Sequence, residues 1–218
     1  LATNKEIIDK YRKKYEFLEY LPDDVNNLEW FLYPDTYVLP TEWDIADRLI
    51  YLQLEAFKSK VWDKHKSEFL AFSQKLSDNW YKLKLWVYNI IKLASVIEKE
   101  EKKSANKPVI AWIFINRLEN NWRLDADISL CYWLKISTSD CAWLISKNVD
   151  DKSNPYNTRA VKWLPPTPIW NPSIDSIEWL LNFKKSEYFF YLHGSDGGFY
   201  PARTNDEHNY NKQKYLNN

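Results

Sequence analysis

Three glutamates, Glu98, Glu100 and Glu101, stand within four residues at the end of an apolar helical run, Leu93-Ala94-Ser95-Val96-Ile97. A carboxyl among apolar neighbours has a raised pKa and can hold a proton near neutrality, which is what a general acid requires. On a helix, Val96 and Ile97 lie four and three residues before Glu100 and flank it. Acids at a helix C-terminus also oppose the macrodipole, and a broken local rule is a reason to look for a site. The plain alternative is a solvated acidic helix end beside Lys102 and Lys103. Spacing alone does not choose among the three glutamates.

Other chemistries lack their residues. The chain has no His-Glu-x-x-His, no phosphate-binding glycine loop and no serine nucleophile elbow. Histidines are scattered at 65, 193 and 208, and Cys131 and Cys141 have neither the number nor the spacing of a zinc site or a disulfide framework. No metal and no cofactor is expected. Thirty Lys and Arg balance thirty Asp and Glu among 218 residues, so the basic excess of a nucleic-acid binder is missing. No run of eighteen apolar residues and no secretory signal is present. The chain begins at Leu1 and contains no Met, which reads as a fragment whose export or anchoring segment lies upstream.

The elements that must position the acids follow from periodicity. Leu83, Val87, Ile90, Ala94 and Ile97 recur at three- and four-residue spacing and predict a central helix over 82–102. Further helices are predicted over 4–19, 41–64, 68–76 and 107–121, the last with Pro108 in its first turn. Asp127 can cap a helix to Leu134, a short helix is expected near 140–146, and another over 173–182. The aromatic stretch 28–40, with two prolines, reads as an extended packed loop. Five prolines within 155–172 make 154–172 a stiff loop. Residues 187–193 read as a strand, 194–198 as a turn, and 199–203 as the returning arm. A last helix starts at 204 and frays into a polar tail. The expected class is α+β, a mainly helical catalytic domain with a small antiparallel sheet near 187–203. Residues 1–27 form a helical lead-in, 28–210 the catalytic domain and 211–218 the tail.

Tryptophan is in surplus where glycine is short. Glycine usually supplies about 7% of residues; here there are 3 Gly and 12 Trp, which together come close to that share. Trp163 opens a Trp-Leu-Pro-Pro turn, Trp170 precedes Asn-Pro, Trp122 follows Asn-Asn and Trp80 follows Asp-Asn. These settings suit a residue that tolerates positive φ. One reading is that the source decodes UGA as glycine and that these positions are glycines. The other is an aromatic-rich carbohydrate-binding surface.

Several segments, taken in order, resemble the endolytic lytic transglycosylases of the MltG (YceG-like) family over roughly 28–210. They are Glu29-x-Phe31-Leu32-Tyr33-Pro34-Asp35-Thr36-Tyr37, Leu93-Ala94-Ser95-Val96-Ile97-Glu98-Lys99-Glu100, Ile115-Asn116-Arg117-Leu118 and Arg123-Leu124-x-x-Asp127. They continue with Pro155-Tyr156-Asn157-Thr158, Leu164-Pro165-Pro166-x-Pro168-Ile169-x-Asn171-Pro172, Asp196-Gly197-Gly198 and Glu207-His208-Asn209. In the family, glycine stands where this chain has Trp30, Trp133 and Trp163, and many members carry His or another polar residue at the position of Phe199. No catalytic role is assigned to Phe199.

The resemblance implies cleavage of the β-1,4 bond between N-acetylmuramic acid and N-acetylglucosamine in peptidoglycan, on the extracytoplasmic face of the bacterial plasma membrane. It also implies a link to peptidoglycan synthases, with membrane attachment only through the missing anchor. The second glutamate of Glu98-Lys99-Glu100 is the implied catalytic residue, so Glu100 protonates the leaving oxygen and then takes the proton from the muramyl C6 hydroxyl. The product is a 1,6-anhydromuramyl end. Ordinary glycosidases use two carboxylates about 5 Å or more apart, whereas an attacking hydroxyl already on the substrate needs only one. Glu98 lies roughly 200° around the helix from Glu100 and reads as a supporting acid. Asn116, Arg117, Asp127, Tyr156, Asn157 and Thr158 are candidates for lining a cleft between the Glu100 helix end and the 154–172 loop. The alternatives are a water-using muramidase, with Asp127 as second carboxylate, and a glycan-binding fragment without activity.

Overall fold

The computed structural model describes residues 3–39, 45–72, 87–136, 141 and 147–216. The expected helix start at 41–44, the pieces 73–76 and 82–86, Trp80 and most of the short helix near 140–146 lie outside them. Among the described residues the helices are α1 (Lys5–Arg12), α2 (Ile45–Phe57), α3 (Asp63–Phe72), α4 (Val87–Glu100), α5 (Lys107–Glu119), α6 (Asp127–Leu134), α7 (Ile174–Leu181) and α8 (Asn205–Tyr215). None is long and apolar enough to cross a membrane.

Helix α4 is the hub. Val87, Tyr88, Ile90, Ile91 and the whole run from Leu93 to Ile97 are buried, which is the pattern of a helix apolar all round. It packs against α3, α5, α6 and α7. Helix α5 is similarly enclosed, down to Lys107, Asn116 and Arg117. The lead-in joins this same core through Ile8, Tyr11, Tyr15, Phe17, Leu18 and Leu21.

Three boundaries differ from expectation, each for a packing reason. Helix α1 stops at Arg12 because Tyr15 turns extended. That lets Tyr15 and Phe17, which would face opposite ways on a continuous helix, both enter the core. Between α2 and α3 the chain stays helical through a π turn, Lys58–Trp62. The extra residue brings both Val61 and Trp62 inward. Helix α8 does not fray before Tyr215, whose ring stacks on Tyr200 at 3.6 Å and whose carbonyl accepts from the Ser195 N–H at 2.8 Å.

The small antiparallel sheet is not formed among the described residues, so the expected α+β class is corrected to a helical fold. Residues 187–203 turn back as expected, but only two isolated antiparallel bridges result, Phe190 with Ala202 and His193 with Phe199. The Phe189 and Phe190 N–H groups both donate to the Ala202 carbonyl, at 3.0 and 2.9 Å, a bulge-like doubling that ends the pairing on its outer side, while Leu192 and Tyr200 exchange N–H···O bonds at 3.1 and 2.9 Å within the turn-back. The free edge is closed by side chains of α5. Asn116 Nδ2 donates to the Tyr188 carbonyl at 3.2 Å and Arg117 Nε to the Phe189 carbonyl at 2.7 Å.

The two cysteines, given no pairing from sequence, form a disulfide between Cys131 in α6 and Cys141, with Cα atoms 5.7 Å apart.

Candidate active site

The end of α4 divides its carboxylates between separate surroundings. Glu98 turns toward α7. Its Oε2 accepts from the hydroxyls of Ser173 and Ser176 at 2.5 Å each and from the Ser173 N–H at 3.3 Å. The buried Lys107 ammonium lies 3.4 Å away. Burial pushes the Glu98 carboxyl up, but these donors outweigh it and hold the group below the usual carboxylate range. Glu101 is almost fully buried. It accepts from the Lys103 N–H at 2.7 Å and Asn106 Nδ2 at 2.8 Å, and its Oε2 is 3.1 Å from His193 Nε2.

Glu100 faces a cavity of about 570 Å³ lined by Arg117, Asp125, Asp127, Arg159, Tyr191 and His193, with His208 and Lys212 of α8 on the far wall. The Tyr191 hydroxyl donates to Glu100 Oε2 at 2.9 Å. The Ile128 N–H, in the first turn of α6, is a second donor. Burial raises the Glu100 pKa, and the charge of Asp127 raises it further. Tyr191, His193 and the Ile128 N–H pull the other way without cancelling the rise. Tyr191 is itself kept protonated, first by burial and then by the Glu100 charge. Its ring stands edge-on to Phe114, at 6.0 Å between centroids.

Asp127 is not free. Arg159 clamps it with two donors, Nε to Oδ1 and Nη2 to Oδ2, the latter at 3.1 Å. Asp125 lies 3.7 Å from Arg117 and 3.8 Å from Arg123. The buried Arg117 also donates to the Leu124 carbonyl, so it ties α5 to the segment that leads into α6.

Of the residues expected at the cleft, Glu100, Arg117 and Asp127 line this cavity. Glu98 and Asn116 hold neighbouring elements to α4 and α5. Tyr156 is stacked on Trp133 and hydrogen-bonded to Thr167 at 2.7 Å. Asn157 Nδ2 donates to the carbonyls of Asn148, Val149 and Asp151 at 2.9 to 3.1 Å. Thr158 Oγ1 accepts from the Ala126 N–H at 3.0 Å and stands 3.0 Å from the Ser129 hydroxyl. These three build the loop that delivers Asp127 and Arg159. The stiff loop contributes Arg159 to the cavity, and its proline-rich half packs along α4 instead. There the Ile169 N–H donates to Ser95 Oγ at 3.0 Å, and Asn171 Nδ2 donates to the Leu32 carbonyl at 2.9 Å. The cavity is therefore closed by the 190–193 arm and α8.

Sequence reasoning missed Tyr191, His193, Arg159 and His208. Alternation along 187–193 places Tyr191 and His193 on one strand face, but nothing in the pattern says that this face meets α4. Burial holds His208 neutral, with a pKa pushed down to about 4. Among the described residues no cluster of His, Cys, Asp and Glu has the arrangement of a metal site.

Of the suspected tryptophans among the described residues, Trp163 alone has a positive φ, +93°, and it is half exposed. At the helix end the left-handed residue is Asn121, φ +58°, and not Trp122. Trp30 is buried in the core, whereas Trp122, Trp133 and Trp170 are exposed.

The chain matches the model of the YceG-like family over residues 1–214. It is 30% identical over 209 residues to an endolytic murein transglycosylase of Bacillus subtilis, covering 93% of this chain and 54% of that protein. A protein of the same name from Streptococcus pneumoniae is 31% identical over 196 residues, covering 87% of this chain and 32% of the other. A crystal structure of a yceG-like protein from Listeria monocytogenes superposes with a TM-score of 0.78 at 28% identity, over 96% of this chain and 64% of that one. The chain thus spans about half the length of the first relative and a third of the second. The match along nearly the whole sequence, together with the shared fold, shows that this chain belongs to the YceG-like family.

Proposed function

We propose that this chain carries the catalytic domain of an endolytic peptidoglycan transglycosylase, with Glu100 as its single acid–base group. The observation that carries this reading is the Glu100 carboxyl itself. It faces a cavity of about 570 Å³, takes a 2.9 Å hydrogen bond from Tyr191, and has a pKa raised by burial. A protonated carboxyl there can give its proton to the glycosidic oxygen of the departing N-acetylglucosamine. The resulting carboxylate takes the proton of the muramyl C6 hydroxyl while O6 closes on C1. One C–O bond breaks, one forms, the proton is returned, and no water is consumed. The names of the relatives support the same substrate. The extracytoplasmic setting that peptidoglycan implies agrees with a disulfide, which persists in oxidising compartments.

A water-using muramidase would need a second available carboxylate. Asp127 is engaged on both oxygens by Arg159, and Asp125 is shared between Arg117 and Arg123. The roles of Glu98, Asn116, Tyr156, Asn157 and Thr158 in this reading are to hold the walls, not to touch sugar. Digestion of purified peptidoglycan followed by mass spectrometry of the ends tests the proposal. Anhydromuramyl ends are expected from the unaltered chain and should fall by about a thousandfold in Glu100→Gln. Reducing muramyl ends, or activity that survives Glu100→Gln, would overturn it.

A further inference from the structure

A second cavity, of about 510 Å³, lies beside the first and is lined by Asn121, Trp122, Arg123, Asp125, Lys152, Ala160 and Lys162. The two meet at Asp125, which lines both, and at the consecutive residues Arg159 and Ala160, of which the first faces Glu100's cavity and the second faces this one. Its charge is one-sided. Arg123, Lys152 and Lys162 stand against Asp125 alone, and Asp125 already shares its charge with Arg117 from the other side. Among the described residues neither Lys152 nor Lys162 has an acidic partner. In a chain whose acids and bases balance overall, this is a local cationic excess. The turn that forms the rim is bracketed by left-handed residues, Asn121 at φ +58° and Asp125 at φ +52°. Non-glycine residues held at positive φ cluster at ligand clamps and functional loops.

We propose that this cavity is a subsite for the carboxylates of the peptide carried on the lactyl ether of muramic acid, so that strands bearing peptide bind in preference to bare glycan. The inference rests on the part of the transglycosylase reading that seats a muramyl ring at Glu100, because a ring there directs its peptide substituent toward the adjoining cavity. A peptide-free muramyl residue offers only the one lactyl carboxylate held close to its ring, whereas a peptide carries several carboxylates farther out, where three cations can each meet one. A pocket of this volume is within the range that encloses a small ligand.

The test is binding to the Glu100→Gln chain, which holds substrate without turning it over. Two soluble probes are compared, glycan strands with their peptides and the same strands stripped of peptide by an amidase, which leaves one lactyl carboxylate on each muramic acid. Peptide-bearing strands should bind about tenfold more tightly at low salt, as a few exposed ion pairs allow, and the advantage should shrink as salt rises. Adding R123Q, K152Q and K162Q should erase the advantage and leave the affinity for stripped strands unchanged. The K152Q/K162Q pair disturbs no existing ion pair and should remove a substantial part of it. Equal binding of the two probes, or a triple variant that weakens both alike, would overturn the proposal. If the unaltered chain yields no anhydro ends but still prefers peptide-bearing strands, the transglycosylase reading fails and the subsite stands. If neither probe binds, both fail.

Discussion

Glu98 and Glu100 leave the same end of α4 two residues apart, and the protein treats them in opposite ways. Glu98 meets two hydroxyls, a backbone N–H and a lysine ammonium, and its pKa falls. Glu100 meets one phenol and one helix N–H, with the like charge of Asp127 nearby, and its pKa rises. Both experience burial. The number and charge of the donors decides the sign, and so separates a structural carboxylate from one that can release and recover a proton.

That contrast is sharpened first by Glu100→Gln. Beyond its loss of activity, it should show no loss of thermal stability. A buried acid with a raised pKa costs stability when ionised, so its removal should leave the melting temperature unchanged or higher. Next comes Glu98→Ala, which among the described residues leaves Lys107 with Asp175 alone, 2.7 Å away, and strips partners from Ser173 and Ser176. The expected cost is about 3 kcal/mol by chemical denaturation, with activity retained at temperatures where the variant is folded. The sign with pH is fixed by the lowered pKa. The Glu98 contribution is present above the unfolded value of about 4.3 and is lost as pH falls through the folded value. The stability difference between Glu98→Gln and the unaltered chain should therefore close in acid. If Glu98→Ala abolished activity in a folded protein, the division of labour would be wrong.

Smaller effects follow. Tyr191→Phe removes a donor that lowers the Glu100 pKa. A general acid is active while protonated, so the alkaline limb of kcat/KM should move to higher pH. The maximum should fall by about tenfold for one lost hydrogen bond. An acidward shift would contradict the assigned contact. Smallest is Trp163→Gly. A φ of +93° is easy for glycine and strained for tryptophan, so the unfolding free energy should rise by about 1 kcal/mol, seen as a higher denaturation midpoint at an unchanged slope, with no effect at Glu100.

Much of the helical frame could be read directly. The span of α7 follows from Ser173, whose hydroxyl accepts from the Ser176 N–H, and ends at Asn182 as expected. Pro108 lies in the first turn of α5; α6 starts at Asp127, but Ala126 is its N-cap and the Asp127 carboxylate goes to Arg159 instead of capping. These are local signals, carried by caps and periodicity. The division between Glu98 and Glu100 was half legible. Helix geometry put them on different faces, but the donors that distinguish them come from α7, α6 and the 190–193 arm, far away in sequence. The missing sheet has the same cause. A strand pattern was present at 187–193, but its edge was taken by Asn116 and Arg117, long-range partners that no local pattern announces. Arg159 was overlooked because it follows the Tyr156-Asn157-Thr158 stretch that drew attention, although its guanidinium is what occupies Asp127.

The central claim is that one carboxyl suffices because the nucleophile is already on the substrate. Digesting peptidoglycan in water enriched in oxygen-18 tests it most directly. The account predicts muramyl ends without the label, each lighter than a hydrolytic end by one water. Label at muramyl C1 would mean that water attacks, that a second base serves it, and that Glu100 does not act alone.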